Sequence, residues 1–118
     1  MKKRYRLTRR SDFQRLLSAR RLYSGHNLVG FAAAGRSALG RVGVTTSRQI
    51  RGAVARNRAR RRLREAVRLT LLREGSIAPE PGISFDVVLI ARPPALTAPF
   101  SEIEIEVGRF GARLASKE

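Results

Sequence analysis

Eight arginines fall between Arg51 and Arg68, set into a helical pattern of small and aliphatic residues. At roughly 100° per residue, Ala59, Leu63, Ala66, Val67 and Thr70 form one stripe. Arg58, Arg60, Arg61, Arg62, Arg64 and Arg68 fan around the rest, and Arg56 falls on the border. A helix with so narrow an apolar seam can be covered on one side only, so it must lie as an outer layer of its domain with the cationic face turned outward. A merely solvated face normally mixes signs, so that residues four apart support each other. Between Arg51 and Arg68 the only acid is Glu65. The helix therefore needs a polyanionic partner to neutralise it.

The rest of the composition narrows that partner. A chain of 118 residues is long enough for one domain with a modest core. Its formal net charge of +16 implies phosphate-rich partners: RNA, DNA or an anionic membrane surface. Only Lys2, Lys3 and Lys117 are lysines among the 25 basic residues. Arginine grips phosphate through a planar fork and stacks on bases, which favours nucleic acid. A membrane-surface role fits poorly, because the stripe has no Trp or Phe to sit at an interface. Cysteine is absent and His26 is the only histidine, so neither a zinc site nor a Ser-His-Asp or Cys-His group can be assembled within the chain. No apolar run has the length of a membrane span, and no apolar signal segment follows the N-terminal basic residues. The expectation is a cytoplasmic protein with neither a membrane nor a small molecule as partner.

Ser11 and Gln14 form a capping-box pattern that predicts a helix over Ser11–Arg20. After the Ser24-Gly25 break, Asn27–Ala34 and Arg41–Thr46 read as two strands joined as a hairpin through Gly35–Gly40. The arginine helix starts between Gly52 and Ala55 and runs to Glu74, where Gly75 supplies a stop. Ser76–Ser84, with Pro79, Pro81 and Gly82, is a loop, and Phe85–Ala91 is an interior strand ended by Pro93-Pro94. Glu102–Val107 alternates like a strand, whereas Ile103, Val107, Phe110 and Leu114 repeat like a helix. We choose the helix, with Ser101 as N-cap, although Gly108 and Gly111 weaken it. The expected fold class is α+β: a single domain over 1–118, an α/β sandwich in which three helices pack a small mixed sheet. Any crossover between parallel strands is by general rule right-handed.

Arg56-Asn57-Arg58, inside the run from Ser47 to Arg68, resembles the signature of the bacterial ribonuclease P protein subunit. Arg6-Leu7 with Asp12-Phe13 resembles that family's N-terminal motif, Arg41-Val42-Gly43 its second strand, and Ile90-Ala91-Arg92 with Ala95 the end of its last strand. The similarity covers nearly the whole chain and is weakest across Ser76–Ser84 and after Pro99. It implies a basic accessory subunit of an endoribonuclease that binds a large catalytic RNA and helps it remove the 5′ leader of precursor tRNA. The RNA would carry the chemistry, with hydrated Mg²⁺ at the interface and the protein alone inactive. It also implies a left-handed βαβ crossover around the arginine helix, against the general rule.

Carried over by motif, Arg48, Arg56, Asn57, Arg58, Arg60, Arg61 and Arg64 would contact the catalytic RNA. Phe13, Leu17 and Phe31 would line a cleft for the single-stranded leader, although phenylalanines at such spacings are by pattern alone ordinary core residues. Leu17 stands where many members place a second aromatic, Gln49 replaces a basic residue, and Arg51 stands where glycine is common. No role is assigned to His26. Asp12, Asp86, Glu102, Glu104 and Glu106 locate no metal, since acids near helix starts ordinarily complement the dipole. A structural RNA-binding protein, such as a small ribosomal component, would explain charge and size equally well but not the ordered motifs.

Overall fold

In the computed structural model, which describes residues 3–116, a four-stranded sheet carries two helices on one face and one on the other. The elements in chain order are α1 (Arg10–Leu17), β1 (Arg21–Ser24), β2 (Leu28–Ala34), β3 (Arg41–Thr46), α2 (Ala53–Val67), β4 (Phe85–Ala91) and α3 (Phe100–Ala115). The strand order is β1-β2-β4-β3, with β1–β2 and β2–β4 antiparallel and β3–β4 parallel. The α+β sandwich of three helices on a mixed sheet is the architecture expected from the sequence.

The hairpin is not where the glycines suggested. β4 lies between β2 and β3, so Gly35–Gly40 is a wide connection and not a two-strand turn. The physical reason is burial: Val87, Val88, Leu89 and Ala91 are closed off on both faces, so this strand takes the centre of the sheet. The connection is fastened to the chain before β4, with Gly35 N–H donating to Ser84 O at 2.9 Å and the Ser84 hydroxyl to Ser37 O at 2.6 Å. Gly40 takes φ +75°, a conformation that suits glycine. The true hairpin is β1–β2, and β1 escaped the sequence reading because it is only four residues long, too short for an alternation to show. A register shift lies between Arg21 and Tyr23. Arg113 donates to Leu22 O and Arg92 to Gly25 O, each at 2.9 Å, holding this hairpin against the body. Beyond β3, Arg6 bridges to Val42 and Leu7 N–H donates to Val42 O at 2.9 Å.

One face of the sheet makes the main core. Leu28, Ala32, Val42, Val44, Val87 and Leu89 pack against Ala59, Leu63, Ala66 and Val67 of α2 and Ile103, Val107, Phe110 and Leu114 of α3. The apolar stripe read from the arginine helix is thus its buried seam, with one change at its end. Arg68–Leu72 forms a π-helical turn, so Leu71 enters the core, while Thr70 is half-buried and its hydroxyl bonds back to Ala66 O at 2.6 Å. Gly111 is what lets α3 approach there: a Cβ at that position would lie 3.0 Å from Leu71 Cδ2. Glu106, at the α3–hairpin junction, is buried; it accepts from the Tyr23 hydroxyl and from Asn27 N–H, each at 2.9 Å. It complements no helix dipole.

Two expected caps are not formed. α1 begins one residue before Ser11, with Arg9 as N-cap, and α3 begins at Phe100, with Pro99 as N-cap, so Ser11 and Ser101 lie inside their helices. Proline preceding Phe100 ends the extended chain without needing a side-chain cap, and the acid Glu102 still sits in the first turn.

Candidate nucleic-acid interface

The stripe of α2 faces the core, so the opposite arc is exposed or half-exposed to solvent. Asn57, Arg60, Arg61, Arg64, Glu65 and Arg68 line a groove along it of about 410 Å³. Asn57 Oδ1 accepts from Arg60 Nη2 at 2.7 Å, which orients that guanidinium along the helix. Arg68 takes the one acid available, Glu65, at 2.6 Å. Arg48, Arg56 and Arg61 are exposed, and their side chains make no hydrogen bond or ion pair among the described residues. Arg64 is half-buried and its Nε is buried without a partner. Burial first, then the neighbouring charges of Arg6 and Arg60, pull its pKa below the ordinary arginine value. A group in that state gains from any anion that reaches it.

Two arginines of the fan are anchors. Arg62 donates to Ala95 O and Ala98 O at 2.6 and 2.5 Å, and Arg58 Nε donates to Leu96 O at 3.3 Å. They tie α2 to the 3₁₀ turn Pro93–Leu96 that follows β4. Periodicity had placed Arg62 on the fan without saying what it holds. Arg58, expected to touch RNA, spends one nitrogen on the fold and keeps an exposed head.

The second region lies on the opposite face of the sheet, under α1. Register places Phe31, Val88 and Gly43 in one row across β2, β4 and β3. Val88 packs with Leu7 and Leu16, and Phe13 is half-buried against that group. Phe13 lies directly over Gly43, where a Cβ would come within 2.6 Å of its ring. Leu17, at 46 % exposure, is open to solvent at the end of α1. Phe31, at 8 % exposure, shares the α1 side of the sheet but belongs to neither packed cluster, and Arg21 lies over its ring at 5.9 Å. The next row, Val29, Ile90 and Thr45, is half-buried on the same face as α1. The three residues expected around a cleft are thus brought to one face, with Phe31 deeper than an open stacking surface.

Two of the acids left without a role by the sequence, Asp12 and Asp86, meet under α1 on the other side of the Phe31–Val88–Gly43 row. Asp86 and Asp12 are each held by both Arg15 and Arg41. Burial raises the Asp86 carboxyl, but the hydrogen bonds and charges of Arg41 and Arg15 outweigh it and hold its pKa below the usual aspartate value. No sequence spacing signals this, since Asp12 and Asp86 meet only through the fold. Among the described residues no group of three or more His, Asp or Glu side chains could hold a metal ion, and no helix is long and apolar enough to cross a membrane.

A small mixed sheet with an arginine-lined helix outside one face and a short helix over a half-buried apolar row on the other defines a basic α+β RNA-binding protein. The chain belongs to the ribonuclease P protein family, whose model, described as Ribonuclease P, matches residues 1–115. The ribonuclease P protein component of Dehalococcoides mccartyi is 40 % identical over 104 residues, spanning 88 % of this chain and 79 % of the relative. That of a Roseiflexus strain is 42 % identical over 96 residues, spanning 81 % and 73 %. Among solved structures, the ribonuclease P protein of Thermotoga maritima superposes with a TM-score of 0.71 at 22 % identity, covering 96 % of this chain and 97 % of that one. The Staphylococcus aureus protein gives 0.70 at 23 % identity, covering 90 % and 91 %. These two establish likeness of fold. Nothing among the relatives favours a ribosomal component.

Proposed function

We propose that the α2 groove seats the ribonuclease P RNA and that the cleft beside α1 receives the 5′ leader of precursor tRNA, in the cytoplasm. The observation that carries the first half is the unspent charge on α2 and just before it: among the described residues Arg48, Arg56 and Arg61 have no acid partner, and burial and like charge disfavour the charged form of Arg64. With Arg58, Arg60 and Asn57 they form a strip of donors that duplex or folded RNA would neutralise several phosphates at a time. The cleft supports the second half through its chemistry. It offers Phe13, Leu17, Phe31 and a half-buried apolar row, which can hold unpaired bases by stacking and contact without reading sequence.

Cleavage is carried by the RNA in this reading, with hydrated Mg²⁺ held at the RNA surface. The protein supplies affinity and placement: α2 docks it near the reacting strand, and the cleft extends the substrate's footprint past the cleavage point. The test is reconstitution. Protein added to a bacterial ribonuclease P RNA with precursor tRNA at near-physiological Mg²⁺ should raise leader cleavage above RNA alone, while protein without RNA should leave the substrate intact. No stimulation with any of several bacterial RNAs would defeat the proposal.

A further inference from the structure

α1 has eight residues, too few to be stable as an isolated helix. Its apolar contact is modest, resting on Leu16 and Phe13 against Val88, Ala33 and Ile90 of the sheet and Leu7 beside it. Such contact is non-directional and would let a short helix slide or roll. What fixes it is an ion-pair network from three elements. Asp86 on β4, with a side chain 0 % exposed, accepts from Arg41 of β3 through Nε at 3.3 Å and Nη2 at 2.8 Å, and from Arg15 of α1 at 2.5 Å. Asp12 of α1 closes the square, meeting Arg41 at 3.3 Å and Arg15 at 3.5 Å. Two carboxylates and two guanidiniums cancel, so little cationic charge is left there for a leader phosphate.

Forked guanidinium–carboxylate pairs are directional. They set both the height and the rotation of α1, and Phe13 follows Asp12 in the chain while Leu17 lies two residues past Arg15. We infer that Asp86 is a positioning residue for leader recognition: through Arg15 and Arg41 it fixes α1 and, with it, the Phe13 and Leu17 wall of the cleft. Asp86 itself is sealed from solvent and touches no RNA. The inference rests on the assignment of the leader to that cleft.

The experiment uses the full chain assembled with ribonuclease P RNA and compares affinity for precursor and mature tRNA, together with the cleavage rate at saturating precursor. Asp86→Asn keeps the side chain's size and removes its charge. It should weaken precursor binding about tenfold, the scale of one stacked base, and leave mature tRNA binding and the saturated rate unchanged. Arg15→Met keeps the stem and breaks one arm of the network, and should lower precursor binding about threefold in the same selective way. Should Asp86→Asn fail to fold, Arg15→Met decides alone. A folded variant with the wild-type ratio of precursor to mature affinity overturns the inference, and so does an equal loss for both tRNAs. A wild-type complex with no preference for precursor would instead remove the cleft assignment itself, and the inference with it.

Discussion

Arg60, Arg61 and Arg64 on α2, and Arg15 of α1 with Arg41 of β3 below it, are the same residue type in one small domain, yet they stand in opposite electrostatic states. The α1 pair is consumed by Asp12 and Asp86. The α2 set has only Glu65 within its groove, and Arg68 has taken it. The difference lies in where the chain's few acids are placed, not in how many cations it carries. On the α1 side acids turn cations into a brace; on α2 their absence leaves a surface whose repulsion is relieved when a polyanion arrives.

The contrast is most exposed at Asp86. Asp86→Ala removes the buried carboxylate and leaves two partly buried guanidiniums sharing Asp12, and should cost about 3 kcal/mol of stability, read by thermal unfolding. Affinity of the folded protein for ribonuclease P RNA should not move; a matching loss there would mean that the two regions are not separate. The native pKa of Asp86 lies below its unfolded value, so its contribution is complete above the ordinary aspartate range and is lost as pH falls through it, below ~4. The Ala variant should lack that acid-side loss.

The converse change is Arg60 and Arg64 together to Ala. The slope of log affinity against log salt should flatten by about 1.4–1.8 units, on the order of 0.7–0.9 per phosphate contact, while stability stays within about 0.5 kcal/mol of wild type. An unchanged slope in a folded protein would put the RNA surface elsewhere.

Phe31→Ala separates cleft from core. On the cleft reading, precursor affinity in the assembled complex falls about tenfold and mature tRNA binding holds. A stability loss of roughly 3–5 kcal/mol with equal effects on both tRNAs would return Phe31 to the core. The smallest effect is a gain: Leu17→Tyr places an aromatic at an exposed position and should tighten precursor binding about fivefold, within the range of one added stack. No gain would mean that the leader passes Leu17 by.

Much of this was legible in the sequence where a single helix or strand carries its own pattern. The α2 stripe and the interior character of Phe85–Ala91 are local periodicities, and each appears in the fold, whereas the arginine helix expected to reach Glu74 ends at Val67 and continues only as the π-helical turn to Leu72. What was not legible needed partners distant in the chain. β1 is too short to signal a strand, and the displaced hairpin could not be known before β4 took the central place. Ser11 and Ser101 carried a cap signal that neighbouring residues overrode. Asp12 and Asp86 looked like unassigned acids because their cations, Arg15 and Arg41, come together only after three elements pack. The distinction between Arg62 as anchor and Arg61 as free cation likewise depends on the turn at Pro93–Leu96, which no helical wheel contains.

The two outer strands of the sheet have a further consequence. An open sheet edge is a template for another chain, and natural proteins blunt such edges with short strands, irregular register, charge or cover. Here β3 is shadowed by Arg6 and Leu7, while β1 is four residues long, out of register between Arg21 and Tyr23, and held by Arg113. Neither side invites strand addition by a second copy. Self-association through the sheet edges is thereby discouraged before any RNA is met.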